Sequence, residues 1–173
     1  AFYTANLSLK RSFLLRHGLF DETFPYAALE DIELGYRLQQ HGLRLVLERQ
    51  ALAYHLHRVD WRSFRIRSWR AGLVSPRFYS RCPTLLADSR YARCLEGPLH
   101  HPFQRWVLRG MLPVAERVGG RGMAFRAYDT ILDHAYYCGV KYALSDGHDI
   151  CYENAKGGRI VLDASPPAWH TYV

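Results

Sequence analysis

The stretch Glu30-Asp31-Ile32-Glu33-Leu34-Gly35-Tyr36-Arg37-Leu38 sets an acidic pair ahead of two leucines at helical spacing. Leu34 and Leu38 lie on one helical face and Gly42 stops the run, so a helix is expected with Asp31 at or near its N-terminus. Upstream, Phe20 to Tyr26 reads as a loop, because Pro25 disfavours helical backbone at Phe24. A carboxylate at Asp31 then meets free backbone N–H groups and the positive end of the helix dipole, both of which favour its ionised form. Taken alone, one such acid is an N-cap.

Working outward, Ser8 is placed to cap a helix through Lys10, Phe13, Leu14 and His17 that Gly18 closes. Beyond Gly42, Leu43, Leu45 and Leu47 alternate with Arg44 and Val46, which predicts a strand. After a break at Glu48 to Gln50, Ala51, Ala53, His55 and His57 recur at period two, so a second strand would point both imidazoles the same way. Asp60 is a good N-cap for a helix with Trp61, Phe64 and Ser68 on one side and Arg62, Arg65 and Arg70 elsewhere. From Ser75 to Pro102 the prolines and arginines read as irregular chain with one short helix near Leu85. A helical stretch is expected from Pro102 through Trp106, Val107 and Met111, bent or ended at Pro113. Gly119, Gly120 and Gly122 make a break. Ala124, Tyr128, Ile131, Ala135 and Tyr142 then support the longest helix, ending near Leu144, and Arg159 to Leu162 is a candidate short strand.

A chain of 173 residues is enough for one core and too short for two independent large domains. Hydrophobic content of 49% and charged content of 23% are ordinary for a globular protein, and no apolar run is long enough to span a membrane. The sequence opens Ala1-Phe2-Tyr3 without Met and without a signal-peptide pattern, like a piece of a longer polypeptide. Cys82, Cys94, Cys138 and Cys151 are widely spaced and form no C-x-x-C pair, so reduced cytoplasmic thiols are expected rather than a zinc or redox motif. The formal charge of +7 comes mostly from arginine, whose planar fork suits phosphate oxygens. Nucleic acid, anionic lipid and sugar-nucleotide diphosphate all fit that balance, so charge alone does not choose among them.

Several spaced motifs point in one direction. Thr4-Ala5-Asn6-Leu7-Ser8-Leu9-Lys10-Arg11, Gly18-Leu19-Phe20-Asp21-Glu22, Glu30 to Leu38, and Tyr54-His55-Leu56-His57 together resemble the second half of a family 2 inverting glycosyltransferase of the GT-A fold. The likeness ends near Phe78. It implies an α/β chain: residues 1–78 as the acceptor and catalytic half of a Rossmann-like GT-A domain without its nucleotide-binding half, and residues 79–173 as a mainly helical extension. It implies Asp31 as the general base that takes the acceptor proton, with Glu30 orienting base or acceptor. It further implies His55 as a ligand of a divalent metal, Mn2+ or Mg2+, and His57 as a second ligand or a diphosphate contact; Mn2+ takes an imidazole more readily than Mg2+ does. Phe64-Arg65-Ile66-Arg67-Ser68-Trp69 loosely resembles the Q-x-x-R-W segment of processive members, but the Gln is missing and Ser68 separates Arg from Trp, so processivity is not expected. Arg65, Arg67, Trp61, Trp69 and Asn6 are the expected substrate-binding residues. The Asp-x-Asp motif of such enzymes is absent and is expected before Ala1.

The partners implied are a nucleotide-diphosphate sugar donor and a sugar or lipid-linked acceptor, handled in the cytoplasm with peripheral contact at the inner face of the membrane. A second reading is a non-catalytic basic module that docks on anionic lipid or nucleic acid through Arg58, Arg62, Arg65, Arg67 and Arg70. No nucleic-acid reader motif accompanies those arginines, so nucleic acid is not an expected partner.

Overall fold

In a computed structural model, residues 2–54, 56, 60–97, 106, 110, 117 and 121–145 are described. Five α-helices organise them: α1 (Arg11–His17), α2 (Glu30–Gln40), α3 (Trp61–Arg81), α4 (Arg90–Glu96) and α5 (Arg121–Ser145), with a 3-10 turn at Pro83–Leu85 between α3 and α4. The expected α/β, Rossmann-like GT-A half is therefore corrected: the described residues are helical and contain no strand or sheet. A strand needs a neighbour to take up its N–H and C=O groups, and residues 43–47 and 51–54 have none among the described residues. Their backbone bonds are local, Leu43 N to Leu38 O at 3.1 Å and Leu52 N to Gln50 O at 2.9 Å, and Val46 is 87% exposed. The alternation in sequence is real; the pairing that would make it a sheet is not present among the described residues. The strand expected at 159–162 lies outside the described residues, as does most of the helix expected from Pro102.

The centre of the molecule is the pair α3 and α5. Asp60 starts α3 as expected, its carboxylate accepting from the Ser63 N–H at 2.9 Å. Where irregular chain was expected from Ser75, the helix instead continues to Arg81 through Pro76. A proline inside a helix forfeits a backbone bond, and burial on both sides outweighs that loss. Val74, Ser75 and Phe78 are all buried, and the Ser75 hydroxyl donates to the Ala71 carbonyl at 2.7 Å. Two glycines let the helices touch backbone to backbone. A Cβ on Gly72 would overlap the Tyr136 carbonyl oxygen, and one on Gly139 would overlap that of Trp69. Around this contact pack Trp69, Leu73 and Ala135 on one side and Tyr136, Val140, Tyr91 and Cys94 on the other.

Polar groups pair inside that core, although Arg90 Nε is buried without a hydrogen-bond partner among the described residues. Tyr136 Oη and Ser75 Oγ lie 2.5 Å apart, and Arg90 of α4 reaches Asp133 at 2.5 Å while its guanidinium stacks 4.2 Å from the Tyr136 ring. Burial pushes the Tyr136 phenol well above its ordinary range and the Cys82 and Cys94 thiols up to about 11. Both of these thiols are free and buried.

The smaller end is α1 on α2. Helix α1 begins one residue after Lys10, not at a Ser8 cap, and has no side-chain cap bond. Phe13 and Leu14 pack on Leu34, Leu38 and Phe2, and Phe2 lies so close over Gly35 that any Cβ there would collide with it.

Candidate active site

Asp31 sits in the first turn of α2, where the sequence placed it. The residue before the helix, Leu29, has φ 69° and ψ −7°, the left-handed region that a side chain with a Cβ seldom adopts. Leu29 is held there by packing with Ala28 and Ile32 against Phe24, Val74, Phe78 and Cys82. This turn aims the acidic pair. Asp31 Oδ1 accepts from the Ile32 N–H at 2.8 Å, and no described hydrogen bond occupies Oδ2. The carboxylate is half-buried and anchored through one oxygen.

Glu30 has a different environment. Burial holds its carboxyl above the ordinary range, the Asp31 charge adds to that, and backbone N–H groups with the Arg67 guanidinium oppose it. Its Oε2 is buried without a hydrogen-bond partner. A pair of neighbouring carboxylates in unlike surroundings can divide the work.

The third acid of the motif is structural. Glu33 is 4% exposed and pairs with Arg37 Nε at 3.0 Å, while Arg37 donates to the carbonyls of His17 at 2.8 Å and Leu19 at 2.6 Å. One guanidinium thus neutralises a buried acid and closes the C-terminal end of α1. The signal in the sequence that sets Glu33 and Arg37 apart from the acidic pair is their i, i+4 spacing.

The expected substrate-binding residues fall in different places. Arg67 is exposed on α3 and close enough to Glu30 to favour its charged form. Arg65 lies 4.7 Å over the ring of Trp61, which is 48% exposed at the start of α3. Trp69 is 1% exposed and belongs to the core between α3 and α5, so its ring faces no solvent. Asn6 is exposed and donates to the Ala51 carbonyl at 2.8 Å, which ties the N-terminal segment to the extended chain after α2. His55 and His57 lie outside the described residues. Among the described residues no three His, Cys, Asp or Glu side chains gather as a metal-holding group.

Three arginines of α3, of which only Arg70 was expected in a basic docking face, make local contacts. Arg81 pairs with Asp21 and lies 5.9 Å from the Phe24 ring centroid, Arg77 donates to the Thr23 carbonyl at 3.1 Å, and Arg70 lies 4.7 Å over Tyr26. Asp21 also closes its own turn, accepting from Thr23 N at 3.0 Å and Thr23 Oγ1 at 2.5 Å. No helix among the described residues is long and apolar enough to cross a membrane.

No family model matches the chain, and no solved structure matches it. Two relatives do match in part. A validoxylamine A glucosyltransferase of Streptomyces hygroscopicus subsp. jinggangensis (strain 5008) is 46% identical over 50 residues, which is 29% of this chain and 12% of that protein. A validoxylamine A glucosyltransferase of Streptomyces hygroscopicus subsp. limoneus is 46% identical over 50 residues, 29% of this chain and 11% of that protein. The match thus spans a small part of either relative's length. That partial likeness supports a glycosyltransferase and nothing finer.

Proposed function

We propose that this chain carries the acceptor-activating part of an inverting glycosyltransferase, which moves a sugar from a nucleotide-diphosphate donor to a hydroxyl of a sugar or lipid-linked acceptor. The observation that supports it best is Asp31: a half-buried carboxylate in the first turn of α2, anchored by Oδ1 with Oδ2 left open. Oδ2 takes the proton of the acceptor hydroxyl while that oxygen attacks the anomeric carbon. The new C–O bond forms as the bond to the diphosphate breaks on the opposite face, so the configuration inverts. Charge then develops on the leaving diphosphate, and Arg67, exposed beside the acidic pair, is the described cation best placed to meet it. Glu30, the half-buried neighbour of Asp31 in the same helical turn, helps to orient the base or the acceptor.

The test is nucleoside diphosphate release by the full-length protein across a panel of sugar nucleotides, with and without Mn2+, for the wild type and Asp31→Asn. The expected loss in the variant is about 10²- to 10⁴-fold in turnover, the usual contribution of a general base. Near-normal turnover in a folded Asp31→Asn protein would sink the role given to Asp31. No release from any donor by the wild type would sink the transferase itself and favour a basic docking module, whose binding to anionic vesicles should weaken steeply with salt.

A further inference from the structure

The loop that delivers Asp31 is fastened to one row of arginines. Residues 70, 74, 77 and 81 follow one another at helical spacings of four, three and four along a single face of α3. Val74 is buried in the cluster that holds Phe24, and Arg70, Arg77 and Arg81 flank it. The loop runs antiparallel to that face. Asp21 and Phe24 meet Arg81, Thr23 meets Arg77, and Tyr26 meets Arg70. The contacts differ in kind: an ion pair, a bond from a guanidinium to a backbone carbonyl, and two cations over aromatic faces. The loop's near end is tied as well, by Arg37 to the Leu19 carbonyl.

Such fastening answers a need. Leu29 holds a left-handed backbone conformation directly before the helix, and such a conformation persists only where the surroundings over-determine it. Few backbone bonds hold the loop by themselves, Phe24 N to Asp21 O and Ala28 N to Tyr26 O among them. Loosening the row would let Leu29 relax and swing the carboxylate of Asp31 away from its aim.

We propose that Arg70, Arg77 and Arg81 are positioning residues, a clamp that fixes the loop Asp21 to Leu29 and through it the direction of Asp31. This rests on the role given to Asp31 above. None of the three touches substrate; each acts through the loop. The arginine-rich character of α3 is then in part a device for holding its own chain.

The experiment compares wild type, Arg77→Leu, Arg81→Asp, Asp21→Arg and the swapped pair Asp21→Arg/Arg81→Asp in the full-length protein. Three readouts are taken: melting temperature, hydrogen exchange of peptides within residues 19–29, and kcat and KM for the donor. The single variants should keep a cooperative melt, exchange the loop faster, and lose about 10-fold or more in kcat with little change in donor KM. The swapped pair should regain loop protection and most of kcat, and Arg81→Lys, which keeps the charge, should fall between. Loop exchange unchanged in both Arg77→Leu and Arg81→Asp overturns the clamp, as does a loosened loop with full kcat. Should the single variants fail to melt cooperatively, Arg81→Lys and the swapped pair decide by the same two readouts. If the wild type transfers no sugar, the transferase reading fails by itself, and loop exchange still decides whether the arginine row holds the loop.

Discussion

The centre of the molecule and its acidic end are held by opposite means. Between α3 and α5 the glycines remove side chains so that backbone meets backbone, and the contact is sealed by Trp69, Leu73, Val140 and Tyr136. At the acidic end, long charged side chains bridge gaps: Arg37 to Glu33 and to two carbonyls, Arg81 to Asp21, Arg77 to Thr23. Dry packing is insensitive to pH and salt but intolerant of one added methyl. Charged fastening is tolerant of size and answers to protonation. A protein that must present a carboxylate to solvent has reason to separate the two.

The sharpest way to break the contrast is at the glycines. Gly139→Ala or Gly72→Ala should cost about 3 kcal/mol or more, since the added Cβ meets backbone that cannot step aside. Urea denaturation reads this directly, and a loss within 0.5 kcal/mol would mean that the helices are not in backbone contact. Next comes the charged end. Arg37→Met leaves Glu33 buried without its partner and should cost about 2 kcal/mol, while Glu33→Gln, which removes the charge along with the need for it, should cost about half as much or less. Equal losses in the two variants would show that Glu33 is not held as an ion. The salt dependence of the Arg37→Met loss should also exceed that of the glycine variants.

The smallest effect concerns Glu30. Its folded-state pKa is raised above the ordinary 4.5, so the folded chain binds the proton more tightly than the unfolded one. That contribution to stability is fully present below pH 4.5 and is lost as pH rises through the raised folded value. Glu30→Gln should remove this slope and gain about 0.5 kcal/mol or less at neutral pH, the solvent-screened remainder of a partly exposed group. Melting temperatures of both proteins across that range check it, and parallel curves would show that Glu30 carries no such shift.

What could be read in advance follows the same division. The α2 helix, its acidic first turn, the Asp60 cap and the long final helix are local patterns, set by spacing of three and four and by a capping residue, and they stand in the structure. The two expected strands failed because alternation states only which face would be buried, and pairing depends on a neighbour far away in sequence. Pro76 misled in a similar way. Its cost is local, whereas the burial of Val74, Ser75 and Phe78 that outweighs it belongs to α5 and the loop. At the site, Asp31 was legible as the acid of a helix start. The separate duty of Arg77 and Arg81 was not, because a guanidinium bound to a carbonyl and one bound to a substrate look alike in a string of letters.

The placement of Trp69 has an optical consequence. Of the four tryptophans in the chain, it is buried against Leu73 and Ala135, with the ring of Tyr142 at 6.0 Å, whereas Trp61 and Trp106 face water. Its indole is walled in by the very contact that Gly139 makes possible. Its emission therefore sits to the blue of its two described sisters and is shielded from a dissolved quencher such as iodide, so the molecule carries a built-in gauge of how closely its two longest helices stay together.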